Sequence, residues 1–594
     1  MRFNEFTQYL EKLEQTSSRL SMTDTLAELL LKCDREDNEI LCAIYLIQGR
    51  VAPQHEPIEF NYSEKLILRA LTKATNNADE VVNKAFKKVG DIGLLVMELG
   101  IKKKSADKTI VNVFDKLLQI ATIEGKSSQS FKQTEYLDIY NSSNEIELKY
   151  INRILTGNLR LGLSSKTILD ALALITGDKK NRAVIERAYG VKTDLGLIAQ
   201  LVITMGVEKL AKIRVESGIP VAPKLVEREK NAEEIFKRIP KSIVQPKLDG
   251  LRIHAHYRKA GFKKYVKSDD MNLFQGQVEN VKLFSRNLES LTKMFPDIVK
   301  AINELASKID ATSFILDGEA IGIDLKTGAF LPFQETIKRR RKNDISAMSH
   351  SHPVKLFAFD VLELNGEDLL LLPTQQRIET LQKMLSKGKS NTIVMTESTF
   401  VESASQIQSL FEKYVSEGYE GIVVKDVASF YKPGTRNFDW IKLKAASVEG
   451  YFESIDSVVL GYYYGSGSRT KFGIGAILIG NYSPEDDKYY STAKVGTGFK
   501  DADWKNIKDS LDKLRVEKIP FQVVIADSLV PDVIVTPKIV VEVESDMVTK
   551  SKTHGGLGGF SLRFPRLKQF DRDKSPTDCT TLKEIKRIFE LQNK

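Results

Sequence analysis

The stretch "IVQPKLDGLRIHAHYR", residues 243–258, sets Lys247, Asp249, Gly250 and Arg252 inside an otherwise apolar, strand-like run. A lysine in such a run ordinarily lies on a solvated strand face. The same intrusion recurs downstream, and the recurrence favours a different reading. Arg286 stands in "LFSRN", Glu319 in "LDGEA", Asp360 in "FAFDV", Glu420 and Lys425 in "EGIVVKD", and Lys442 with Lys444 in "WIKLK". A buried charge is costly unless it is paired or bound to a ligand, so charges repeated inside β runs point to a site.

Strand parity sharpens one case. Trp440, Lys442 and Lys444 share a face, with Ile441 and Leu443 on the other. Two ammonium groups on one face repel unless an anion lies between them, and a phosphate would be such an anion. Glu420 and Lys425 have opposite parity and share a face only if Gly421 bends the strand.

Outward from this region the pattern changes on both sides. Up to about Gly218 the periodicity is helical. In "SMTDTLAELLLKC", Thr23 or Asp24 can cap, and Leu26, Leu29 and Leu30 recur at helical spacing. "EKLILRALTKA", "GLLVMELG" and "TILDALALITG" carry similar stripes, and the prolines of "ESGIPVAPKLVE" mark a linker. Then come short β runs with helices between them, as in a mixed α/β unit. Beyond about Ala446 "SVVLGYYYG", "IGAILIGNY", "KYYSTAKVG" and "KIVVEVES" suit a small β-barrel such as an OB-fold. The expected division is an all-α unit at 1–220, an α/β (α+β) unit at 221–446 and a β-barrel unit at 447–594.

A chain of 594 residues is too long for one core. Lys and Arg total 88 against 79 Asp and Glu, a net +9. That spread excess fits contact with a nucleic-acid backbone without specifying it. Cys33, Cys42 and Cys579 form no CxxC pair and have no companion histidine spacing, which argues against a zinc site or a disulfide framework. The amphipathic, charged start "MRFNEFTQYLEKLEQ" lacks a signal-peptide core, and no apolar run approaches the roughly 20 residues of a membrane span. A cytoplasmic protein without membrane contact is expected, nucleoid-associated in a prokaryote.

In order, "KLDGLR", "SRN", "DGEA", "FAFDVLELNG", "EGIVVK" and "WIKLK" resemble the covalent nucleotidyltransferase superfamily, and most closely the ATP-dependent DNA ligases of the archaeal and eukaryotic replicative type. "SLRFPRLKQFDRDKSPTDCTT" resembles that family's last motif, on its OB domain, and "GNLRLGLSSKTILDALA" a segment of its helical DNA-binding domain. The resemblance implies an adenylation domain in the middle unit, with Lys247 attacking the α-phosphorus of ATP and holding AMP as a phosphoramidate. Such an amine must first lose its proton, and a dry pocket, a divalent cation and nearby Arg252, Lys442 and Lys444 would push its pKa down. It further implies that Phe359 stacks on adenine and Gln245 flanks the base. Glu319 would hold ribose or metal, and Arg252, Arg286, Arg436 and Lys442 sugar and phosphate. Glu420 is the favoured ligand for Mg2+, with Mn2+ as a substitute. Arg572 and Lys574 would meet the pyrophosphate when the OB domain closes. The implied partner is nicked duplex DNA, bound by a monomer largely through its phosphates; a sliding clamp is a further candidate.

One departure is Gln245, where the family motif often has glutamate. The charged stretch "RKAGFKKYVKSDDMNLFQGQVENVKLF" is longer than usual and suggests an exposed hairpin. "THGGLGGF" suggests a turn, "IKRRRKND" a solvated basic run or a DNA contact, and His254 with His256 lacks metal-ligand spacing. The rivals are an RNA-joining or mRNA-capping relative and a decayed DNA-binding scaffold. An NAD-dependent ligase is disfavoured by the scattered cysteines.

Overall fold

The computed structural model describes residues 1–594 apart from 17, 37, 103, 126, 263–278, 325–326, 332–335, 337–338, 340–348, 350–351, 445–452, 466–468, 470–471, 502, 546, 552–558 and 593–594. From Phe3 to Ala211 every principal element is a helix, and one hydrophobic core runs through them from Phe3 to Leu210. The helix Arg19–Lys32 begins earlier than Thr23 or Asp24 would place it. Ser18 caps it, its side chain accepting the Ser21 N–H, and buried Met22 extends the stripe one turn back from Leu26. Thr23 Oγ1 instead donates to the Arg19 carbonyl. "GLLVMELG" supplies only a single turn, Leu95–Glu98. Residues 212–224, with Pro220 and Pro223, carry neither helix nor strand.

The middle unit is built on two sheets. Its strands are β1 Leu225–Arg228, β2 Ser242–Pro246, β3 Leu251–Phe262, β4 Glu279–Ser285, β5 Ser313–Gly322, β6 Val354–Leu364, β7 Glu367–Asp368, β8 Ile393–Met395, β9 Thr399–Val401, β10 Gly421–Asp426 and β11 Arg436–Lys444. The five-stranded sheet has the order β1-β11-β10-β2-β9; the other runs β4-β3-β5-β6-β7, with β8 parallel to β6. On each sheet one parity makes core. Leu251, Ile253, Ala255, Phe314 and Leu316 pack with the helices Pro296–Ile309 and Thr374–Lys387. Val244, Ile422, Val424, Ile441 and Leu443 pack with Ala232–Arg238 and Ala404–Ser416. The opposite parity carries Gln245, Arg252, Glu319, Lys425, Lys442 and Lys444, so alternation alone delivers the charged side chains to the space between the sheets.

The C-terminal unit is sheet-rich. β12 Glu453–Tyr463, β13 Ala476–Ser483 and β14 Lys488–Val495 form an antiparallel meander. β12 also pairs with Val540–Ser545, which pairs in turn with Arg566–Gln569. Ile455, Val459, Ile477, Trp504, Val541 and Ile585 share its core, which includes the last helix, Leu582–Gln592. The three units meet at the turn after β4. There Gln54 donates to the Asn287 carbonyl at 2.8 Å, Arg286 pairs with Asp578 at 3.2 Å, and Asn287 donates to Asp573 at 3.3 Å. No helix among the described residues is long and apolar enough to cross a membrane.

Candidate active site

Lys247 lies in the short joint between β2 and β3, not within a strand, because the chain passes from one sheet to the other at this point. Its backbone is clamped to the neighbouring strand: Lys247 N–H donates to the Gly421 carbonyl at 2.9 Å, and Glu420 N–H donates to the Lys247 carbonyl at 3.3 Å. At Gly250 a Cβ would come within 2.4 Å of the Ala320 carbonyl oxygen, so only glycine admits this crossing. Gly421 supplies the bend that the sequence required. Its φ is +146°, Glu420 falls just before β10, and Glu420 and Lys425 both reach the same cavity despite their opposite parity.

Within that cavity Lys247 Nζ and Lys444 Nζ both form ion pairs with Glu420. Burial works to lower the Lys247 pKa, but the Glu420 carboxylate outweighs it, and the amine is held above its ordinary value. Sequence reasoning expected neighbouring cations to push it down. The structure reverses the sign in this state because Glu420 stands between the two lysines.

The remaining cations face carboxylates of the C-terminal unit. Arg436 pairs with Glu584 at 2.5 Å, and Arg572 with Glu542 at 2.9 Å and Asp456 at 3.4 Å. Lys574 also pairs with Asp456. Lys442, between Arg436 and Lys444, has no ion-pair partner within 4 Å among the described residues, and burial pushes its pKa well down despite the pull of Glu584. Parity called for an anion between Lys442 and Lys444; Glu420 pairs with Lys444, while Glu584 pairs with Arg436 and attracts Lys442 without forming an ion pair with it.

On the opposite wall Arg252 makes a two-point contact with Asp317, at 3.0 and 2.7 Å, and its third nitrogen donates to the Lys224 carbonyl. Tyr431 Oη donates to Asp317 at 3.0 Å. The Arg252 guanidinium lies 5.4 Å from the centre of the Phe359 ring, and Lys425 Nζ lies 4.8 Å from it and 4.0 Å from Trp440. Lys425 also donates to the Phe359 carbonyl at 3.0 Å, and burial brings its pKa down to about 7. Gln245 donates to Ser398 Oγ at 2.9 Å. Asp317, Tyr431, Lys224, Thr396, Ser398, Asp456 and Glu584 all escaped sequence reasoning. Asp317 alone was accessible to it, since it shares strand parity with Glu319 in "LDGEA".

Asp249, Glu319 and Glu420 line the cavity. Burial raises the first two, Glu319 to about 7, while the paired lysines hold Glu420 down. An all-carboxylate donor set suits a hard cation such as Mg2+, which would relieve the cost of ionising Asp249 and Glu319. Among the described residues no group of three or more His, Cys, Asp and Glu side chains already surrounds an ion position. His254 contacts Asp317 at 3.2 Å, and His256 accepts the Gly218 N–H at 3.0 Å. Arg339, the described residue of "IKRRRKND", is buried against Asp297 at 2.7 Å and so is not a free basic group. The rest of that run, most of "THGGLGGF" and residues 263–278 lie outside the described residues.

Family models match along the chain: DNA ligase N terminus over residues 2–173, ATP dependent DNA ligase domain over 223–444, and ATP dependent DNA ligase C terminal region over 470–574. A probable DNA ligase of Dictyoglomus turgidum is 40% identical, the match covering 100% of this chain and 98% of that one. One from Dictyoglomus thermophilum is 41% identical over the same shares. A DNA ligase of Acidianus ambivalens is 32% identical, again over 100% of this chain and 98% of the relative. The full-length identity and the three models in their order fit the charged cavity between the sheets, and the chain belongs to the ATP-dependent DNA ligase family.

Proposed function

We propose that this chain seals nicks in duplex DNA by three phosphoryl transfers, the first two through Lys247. The observation that carries the reading is the placement of one clamped lysine at the seam of two sheets, with Arg436, Lys442, Lys444, Arg572 and Lys574 lining the same cavity. In the first transfer neutral Nζ attacks the α-phosphorus of ATP, a P–N bond forms and the bond to pyrophosphate breaks. The 5′-phosphate of the nick then takes the AMP and frees Lys247. Finally the 3′-hydroxyl attacks that phosphate and expels AMP. The protein's part is positioning and charge neutralisation.

Lys247 must be neutral to attack, and its pair with Glu420 keeps it charged. Opening of that pair leaves burial as the dominant influence, and burial favours the free amine. Phe359 stacks on adenine beside Gln245, and Arg252, fixed by Asp317, holds the sugar. Arg286, Arg436, Lys442 and Lys444 take the phosphates, with Arg572 and Lys574 on the pyrophosphate. Glu319 and Glu420 hold Mg2+, or Mn2+ in its place; when bound, the ion supplies further neutralisation of phosphate charge. The units divide near residues 220 and 446. The first is a helical clamp on the DNA backbone, and the last is an OB-fold that swings onto the nucleotide and away from it.

The test is incubation with radiolabelled ATP. The wild-type chain takes up a covalent label, and Lys247→Ala takes up none while still binding nicked DNA. Label retained in Lys247→Ala would refute the assignment of the nucleophile.

A further inference from the structure

We infer that Ser398 makes this ligase select adenine over guanine by pinning the side-chain amide of Gln245; the inference rests on the adenine pocket proposed above. An amide beside a base edge is ambiguous. Its oxygen accepts from the 6-amino group of adenine, but turned over, its NH2 donates to the 6-oxygen of guanine. A carboxylate at the same position could only accept. Gln245 therefore carries a liability that glutamate would not.

The neighbours of Gln245 remove the ambiguity. Gln245 is 3% exposed, and its Nε2 donates to Ser398 Oγ at 2.9 Å and towards the Phe359 carbonyl at 3.4 Å. The Phe359 carbonyl can only accept. Ser398 has already committed its proton, donating to the Thr396 carbonyl at 3.0 Å. Two acceptors thus face the Nε2 end, and turning the amide over would set oxygen against both of them. Oε1, with no hydrogen-bond partner among the described residues, is left for a ligand. The segment that carries Ser398 is itself anchored, Thr396 N–H donating to the Ala358 carbonyl at 2.8 Å.

A second, independent feature marks the same wall as a ligand surface. Thr396 Oγ1 is buried, lines the cavity and has no partner among the described residues. A hydroxyl can donate or accept, so Thr396 serves the ring edge of either purine, and discrimination falls to the pinned amide. Ser398 is a positioning residue: it acts through Gln245.

The experiment measures the second-order rate constant of lysyl-nucleotide formation on the full chain with labelled ATP and labelled GTP. It compares wild type, Ser398→Ala, Gln245→Glu and the double variant. Loss of one hydrogen bond of ordinary strength should narrow the ATP:GTP ratio about tenfold in Ser398→Ala, mainly by a gain for GTP. With Glu at 245 nothing remains to turn over, so adding Ser398→Ala should move the ratio less than about twofold. An unchanged ratio in Ser398→Ala overturns the inference, as does an equal shift in both backgrounds, which would signify general loosening. Phe359→Ala separates this failure from failure of the pocket. If it leaves the KM for ATP unchanged, the base does not lodge here at all.

Discussion

Replacing Gly421 by alanine tests whether the bend before β10 is what assembles the surroundings of Lys247. Two costs add. The φ of +146° is foreign to an L residue, a strain of about 1–3 kcal/mol. The new Cβ would also stand 2.1 Å from the Leu443 carbonyl oxygen, where 3.0 Å is the least that real contacts tolerate, so β11 must retreat by about 1 Å. Such backbone shifts cost about another 1–3 kcal/mol. The sum, about 2–6 kcal/mol, corresponds to roughly 4–24 °C in Tm for a unit of this size. Because Leu443 adjoins Lys444 and Gly421 adjoins Glu420, a displacement of this size should also slow lysyl-AMP formation by up to about 100-fold. Gly418→Ala is the comparator. Its φ is +89°, but nothing lies within 4 Å of the added carbon, so it bears the strain without the collision. Thermal unfolding and single-turnover labelling with ATP are measured on both variants. Equal losses in Tm and in rate would refute the claim that close approach to β11 sets the geometry.

The fully buried pair Arg377–Asp360, bonded at 2.8 and 3.0 Å, should cost about 3–5 kcal/mol when either partner alone is replaced by leucine, and much less when both are replaced. Urea midpoints check this, and additive losses would contradict it. Glu319, pushed up to about 7 by burial, binds its proton more tightly in the folded chain. Its contribution to stability is therefore complete below its ordinary value of 4.5 and lost as pH rises towards 7. Glu319→Gln removes that loss, so the Tm of the variant relative to wild type should climb between about pH 5 and 7.5. A pH-independent difference in calorimetry would rule it out.

Much of the site was legible because strand alternation is a local rule. Trp440, Lys442 and Lys444 reach one cavity as their spacing required, and Arg252 and Glu319 face it from paired positions on β3 and β5. The rest depends on contacts between residues far apart in the chain. Glu584 reaches Arg436 across 148 positions, and Asp456 reaches Lys574 across 118. No periodicity encodes such pairings, and they decide the sign of local charge. The expected direction of the Lys247 pKa shift was missed for the same reason: Glu420 is remote in sequence but adjoins it through the β2–β10 ladder. Gly421 lies between, since the spacing showed that a bend was needed but not that one occurs. Ser398 and Thr396 lie in a connection of no regular pattern and gave no signal.

The joint that carries Lys247 has little slack. Pro246 stiffens one end, Gly250 nests against Ala320 at the other, and the two sheets belong to different cores. Neither half of the middle unit can drift without dragging Lys247 along. On the role proposed for Lys247, self-charging with AMP then requires both halves in place, so a molecule whose halves have parted squanders no ATP on an adduct it could not deliver.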